Sequence, residues 1–303
     1  MICAAQTKIE TISFGDMNNW VDRRIKESFL IGGEVKHVYA IGPTETIEGN
    51  IPYVNKGGSP WATSNVMAHV AGIYKTNVSV FPEKRDSGYC ARLDTHLEKI
   101  KVLGVIDITV LAAGSVFLGE VHEPIQSTKN PQQMLSSGIP FTKRPIAIRF
   151  DYKVKLSGCE KRIRATGFSR IKDVEGKDYP EATLFLQKRW EDADGRIYAK
   201  RIGTMVVRFT WSCDWQNKAT FPILYGDITS RADYSEELMR LQDVERYAVN
   251  SKGESVPINE IGWGASDDVP THLYLQFASS DGGAYIGSPG NSLYIDNVEL
   301  VYP

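Results

Sequence analysis

The chain lacks a long hydrophobic run. None of its 303 residues falls in an unbroken apolar stretch of about 18, the length a membrane-spanning helix needs. The longest apolar stretch, from Val102 to Phe117, is interrupted by Asp107, Thr109 and glycines, and reads as strand. Cysteine is scarce. Cys3, Cys90, Cys159 and Cys213 form no C-x-x-C pair, and no histidine follows any of them at zinc-finger spacing, which excludes a zinc-ribbon or finger. One disulfide remains open without an assigned pairing. The five histidines, His37, His69, His96, His122 and His272, form neither H-E-x-x-H nor H-x-H, so metal-dependent hydrolysis has no motif to stand on. An excess of positive charge is also missing. With 35 basic and 37 acidic residues the formal net charge is −2, and a nucleic-acid partner would call for a basic face. The short cluster Lys161, Arg162 and Arg164 reads as a solvated strand face. A nucleophile elbow is absent: Gly114-Ser115 and Gly287-Ser288 sit in strand context without the Gly-x-Ser-x-Gly turn.

What is present is a hydrophobic period of two. Ile146, Ile148, Phe150, Tyr152, Val154 and Leu156 point one way, while Arg149, Asp151, Lys153 and Lys155 point the other. Further strands are expected at 66–73, 78–81, 89–97, 105–112, 182–190, 203–211, 272–277 and 293–302. The phase of the last one slips at Asp296-Asn297, which predicts a bulge. Turn signals separate the strands, among them Lys56-Gly57-Gly58, Asp281-Gly282-Gly283 and a hairpin loop at Asp192 to Gly195. One short surface helix is expected after Asp233. There Leu238, Leu241, Val244 and Tyr247 recur every third residue and Glu236 completes a capping box. Many strands with glycine-rich turns imply an all-β sandwich or barrel. Residues 7–303 read as one domain. Residues 1–6 read as the remnant of a secretory signal, with Cys3 and Ala5 as the small residues before a cleavage site.

Several strings carry a resemblance: Phe14 to Trp20, Pro60 to Asn65, Ala112 to Gly119, Gly138 to Pro145, and the tail from Tyr274 to Ser279 and Gly287 to Tyr302. In this order they resemble the "putative carbohydrate metabolism domain" family of Bacteroidetes, from about residue 10 to the end. The resemblance implies a jelly-roll β-sandwich of two antiparallel sheets, similar to carbohydrate-binding modules and exported to the cell envelope or beyond. Members have been labelled glycoside hydrolases, but no catalytic motif of the family maps onto this chain. Binding modules of this shape often open with Phe-Glu and close with Asp-Asp around a structural calcium. Here Gly15 follows Phe14 and Asn297 follows Asp296, so a calcium would rest on Asp16 and Asp296.

Sugar recognition needs flat aromatic faces with polar groups beside them. Trp61 follows a Gly-Gly turn and precedes Thr63, Ser64 and Asn65, which suggests an exposed loop indole. The bland alternative is a plug at the end of the sandwich. Tyr53 and Asn65 would share its platform, Arg92 would bond a hydroxyl or a uronate, and Trp190 and Tyr285 would form the rim. The expected partner is therefore an oligo- or polysaccharide held on an aromatic platform and left uncut, with neither nucleic acid nor a membrane span. On this reading Trp61→Ala weakens glycan binding and leaves thermal stability nearly unchanged. A first rival is a glycoside hydrolase or lyase, which needs two carboxyls about 5 to 10 Å apart. Asp94, Glu120, Glu123, Glu191, Asp192 and Asp194 are available, but spacing singles out no pair. A second rival is a surface module that binds another protein.

Overall fold

The computed structural model describes residues 7–102, 106–126, 130–167, 169–242 and 244–303. The expected signal remnant, Met1 to Gln6, lies outside the described residues, and Cys3 with it. Cys90, Cys159 and Cys213 are free thiols.

The expected all-β sandwich is present. One sheet of eight strands runs in the order Thr166–Gly167, Ile106–Ala113, Gly88–Val102, Ser292–Tyr302, Ala147–Lys155, Cys213–Pro222, with Lys8–Thr11 and Val80–Arg85 attached at its sides. The second sheet has ten strands. Its central order is Ser115–Val121, His272–Ala278, Glu181–Glu191, Ile197–Arg208, Ser255–Trp263. Pairing is antiparallel throughout these two sheets except where Ile197–Arg208 meets Ser255–Trp263. A smaller three-stranded sheet, built on Trp20–Lys26, packs at one end.

Alternation along the strands creates the core. Ile148, Phe150 and Val154 turn inward from the first sheet beside Leu93, Leu293 and Ile295. Leu184, Leu186, Leu275 and Phe277 answer from the second. The Phe150 and Phe277 rings meet edge to face across the gap, with centroids 4.9 Å apart. Burial of such side chains contributes roughly 1.5–3 kcal/mol each. The slip at Asp296-Asn297 is real: Asn297 has φ +50°, and the register against Ala147–Lys155 shifts between Arg149 and Asp151.

Several local expectations need correction. The run 66–73 is a hairpin, because Ala71 and Gly72 take positive φ and split it into Val66–Val70 and Ile73–Asn77. The helix is a single turn, Glu236–Met239, preceded by Ser235 without a side-chain cap. Asp233 closes instead on Arg231 (2.8 and 2.9 Å), and Tyr247 joins a strand against Ser255–Trp263, where it is buried.

Trp61 is the main correction. The Gly57-Gly58 turn, with φ of +63° and +76°, leads directly into the strand Trp61–Thr63, which pairs with Ser115–Val121. Trp61 is 0% exposed and belongs to the core. Its indole N–H donates to the Ser13 carbonyl at 2.8 Å, so the ring is sealed with its one polar group satisfied. Truncation of a buried aromatic costs about 3–5 kcal/mol. Trp61→Ala is therefore expected to lower the thermal midpoint by many degrees. Calorimetry or urea unfolding checks this, and a variant as stable as the parent contradicts the burial.

Candidate functional site

The residues singled out in the sequence do not converge. Asn65 is a buried clamp: its amide donates to the Tyr39 and Val80 carbonyls (2.9 and 2.7 Å), and its Oδ1 accepts from the Ser79 and Val80 N–H groups (2.8 and 2.9 Å). Tyr53 is half-buried beneath the Arg23 guanidinium, 5.1 Å from its centroid, and its backbone N–H donates to Glu123. Arg92 lies on the outer face of the first sheet, paired to Glu83 at 2.7 Å and Asp94 at 3.1 Å and stacked over Phe81. Trp190 is 41% exposed and stacks on Tyr198 at the far end of their shared hairpin. Asp296 is paired to Arg85 at 2.8 Å, which also holds Asp151 at 2.9 Å and stacks on Trp215. Burial pushes the Asp296 carboxyl up to about 6. Asp16 accepts from the Asn18 amide at 3.2 Å. Among the described residues no group of three or more His, Cys, Asp or Glu side chains is placed to hold a metal.

Tyr285 alone of these residues lines the principal cavity. This is a trough of two joined arms over the outer face of the second sheet. The wide arm encloses about 390 Å³, within the range of small-molecule pockets. The narrow arm encloses about 140 Å³. Phe117, Gln132, Leu135, Gln276, Ala278 and Ser280 border both, which makes them one groove. The wide arm is walled by Val66, Ala68, Val110, Leu111, Ile125 and Leu135. The narrow arm offers Glu181, Thr183, Arg246, Tyr247, Tyr274 and Asp281.

The sequence reading overlooked this groove because its walls come from segments far apart in the chain. A signal did exist. Ala112, Ala113, Gly114 and Ser115 are a run of small residues where one strand gives way to the next, and Ala278, Ser280, Gly283 and Ala284 are small residues in a second stretch. Both border the wide arm. Gly114 is required for a close approach, since a Cβ there would sit 2.4 Å from the Ser79 carbonyl oxygen.

Two of the three acids lining the narrow arm share an arginine: Arg208 contacts Asp281 at 2.9 Å and Glu181 at 3.2 Å, while the third, Glu245, accepts from the Tyr247 hydroxyl at 2.5 Å. Burial outweighs these contacts for Glu181 and lifts its carboxyl above the usual range, while the Thr183 hydroxyl donates to it at 2.9 Å. Behind them Asp178 anchors the loop that carries Tyr285. It accepts from the Ser280 hydroxyl (2.6 Å), the Ser288 N–H (2.7 Å) and the Asn291 amide (3.1 Å). Burial pushes the Asp178 carboxyl up to about 7, and the neighbouring Asp281 adds to the shift. Glu123 is held by Arg23 and by the N–H groups of Tyr53 and Met67 (3.0 and 2.8 Å). Glu191 accepts from the Ser251 N–H at 2.9 Å, and Asp192 and Asp194 both close on Arg196.

Residues 39–163 match the model of the family described as "Putative carbohydrate metabolism domain". The matched segment includes the Ala112–Gly119 string and most of the wide arm's wall. Among solved structures the chain is similar to one described as a putative glycoside hydrolase from Bacteroides thetaiotaomicron, at 17% identity and a TM-score of 0.45, over 89% of this chain and 81% of that one. No curated protein matches the chain. No helix among the described residues is long and apolar enough to cross a membrane.

A raised carboxyl pKa has a definite sign. The folded state holds the Asp178 proton more tightly than an unfolded chain, where the value is 3.8. The stabilisation is complete below that value and is lost as pH rises through about 7. The stability difference between the parent and Asp178→Asn should therefore shift in the variant's favour from pH 4 to pH 8. Urea midpoints across that range test it, and a flat difference curve contradicts it.

Proposed function

We propose that the protein binds an oligo- or polysaccharide in the trough and leaves it uncut. The observation that carries this reading is a groove of pocket size whose polar arm presents hydroxyl, amide and guanidinium groups, while two of its three carboxylates, Glu181 and Asp281, are tied to one arginine and the third, Glu245, accepts from the Tyr247 hydroxyl at 2.5 Å. Hydroxyl-rich ligands are recognised by such mixed donors and acceptors. Hydrolysis of a glycosidic bond needs one carboxyl free to give a proton and a second free to attack or to activate water. Arg208 sits between Glu181 and Asp281 and opposes both roles. The family match over residues 39–163 agrees with a sugar-related ligand. The resemblance of the longer sequence to exported modules favours a place in the cell envelope or outside it. The recognition surface in this reading is the groove with Tyr285 at its wall, in place of a platform around Trp61.

A glycan array followed by titration calorimetry tests the reading. Tyr285→Ala should weaken binding about fivefold, from loss of about 1 kcal/mol of ring contact with the part of the ligand that lies in the wide arm. Trp190→Ala, which does not line the trough, should leave binding unchanged. Release of reducing ends that Glu181→Gln abolishes would make the protein a hydrolase. An empty array together with a stable complex with another protein would favour the interaction module.

A further inference from the structure

We propose that the ligand is an amphipathic glycoside, with its sugar in the narrow arm and an aliphatic chain attached to that sugar in the wide arm. This rests on the carbohydrate reading of the same groove and adds the class of sugar derivative it takes. Several polar groups of the wide arm already have partners within the protein. Ser64 Oγ is engaged with Ser79 Oγ at 2.8 Å and with the Ser115 N–H at 2.9 Å. The Asn77 amide donates to the Ser64 carbonyl at 3.0 Å, and the Thr76 hydroxyl to Glu27 at 2.7 Å. Lys75 is held between Glu27 (2.9 Å) and Glu98 (2.8 Å). Ser280 donates to Asp178 at 2.6 Å.

A sugar ring buried there would lose water from several hydroxyls and find few partners, at a cost of about 1–3 kcal/mol for each hydroxyl left unbonded. Most of the remaining wall is carbon, from Val66, Ala68, Val110, Leu111, Ile125 and Leu135, with the Gln132 and Gln276 amides at the border with the narrow arm. A hydrocarbon chain fits that lining and gains about 0.8 kcal/mol per buried methylene. The narrow arm carries a larger share of polar residues: Glu181, Glu245 and Asp281 line it beside Thr183 and Tyr247, and although Thr183 donates to Glu181 at 2.9 Å and Tyr247 to Glu245 at 2.5 Å, carboxylate oxygens can accept further bonds from sugar hydroxyls. Phe117 and Gln276 border both arms, so one ligand can present its polar end to one side and its chain to the other.

Titration calorimetry with methyl, butyl, hexyl and octyl β-glycosides of glucose, galactose and N-acetylglucosamine, each below its micelle concentration, tests this. For at least one sugar, affinity should rise with chain length, by up to about fourfold per methylene until the arm is filled. Octanol alone should bind at least tenfold more weakly than the octyl glycoside. Ala68→Trp, which narrows the wide arm, should abolish the chain-length dependence. Val110→Phe on another wall should do the same and stands in if the first variant fails to fold. Equal affinity for methyl and octyl forms overturns the proposal and leaves the carbohydrate reading intact. So does array binding of unmodified glycans with no alkyl preference. Octanol binding as tightly as octyl glycoside also overturns it, since the site would then be a plain lipid pocket. An unchanged chain-length series in both variants places the chain elsewhere and overturns it too. If neither the glycosides nor any array glycan binds, this proposal and the reading beneath it fall together.

Discussion

The need to pair a buried carboxylate governs much of this molecule. Removing a charge from water is costly unless a partner and hydrogen bonds replace the lost hydration. The chain meets that need repeatedly with arginine. Glu123 is 2% exposed at its side chain and sits on Arg23, 3% exposed. Glu260 lies on Arg201, whose side chain is fully buried. Asp151 and Asp296 share Arg85, and Glu181 and Asp281 share Arg208. Each contact ties segments far apart in sequence. Arg23 and Glu123 join the small three-stranded sheet to the loop after Ser115–Val121, and Arg85 joins its own strand, Val80–Arg85, to the strands Ala147–Lys155 and Ser292–Tyr302 of the first sheet. Replacing only one partner of such a pair strands a charge, so these sites constrain the architecture even though a well-packed apolar substitute for both could be as stable.

The same constraint shapes the chemistry of the groove. A glycosidase keeps one acid protonated and another free, through environments that push their pKa values apart. Burial shifts the Glu181 carboxyl upward, in the direction the first role requires. Its neighbour Asp281 lacks the second, because Arg208 and, at 3.8 Å, Arg162 both face it. The pair on Arg208 that secures the loop therefore also occupies two of the three carboxylates of the narrow arm, while the third, Glu245, accepts from the Tyr247 hydroxyl.

Period-two spacing made the sandwich legible in the sequence. The strand Ala147–Lys155, the bulge at Asp296-Asn297 and the hairpin at Asp192 to Gly195 all follow from local pattern. Trp61 was misread for a physical reason. Its neighbours Thr63, Ser64 and Asn65 look like a wet loop, but their polar atoms bond inward to Tyr39, Ser79 and Val80. Composition reports polarity and is silent on whether a partner waits inside. The groove was illegible for a related reason. Arg208 and Asp281 are 73 positions apart, and the wide arm's walls draw on segments from Ser64 to Tyr285. No local window contains them.

What the sequence did contain was the absence of volume. The trough exists where side chains are small: Ala112, Ala113, Gly114, Ala278, Gly283 and Ala284 border it. Interiors pack close to crystal density, so a cavity of about 390 Å³ is an exception that needs a cause. Here the cause is a run of small residues where one edge of the first sheet meets the outer face of the second. Filling the space would bring more dispersion contact and more stability. A fold that keeps it open and lines it mainly with carbon leaves room for an apolar guest. The polar arm beside it leaves room for hydroxyls. The two halves together match the amphipathic glycoside proposed above.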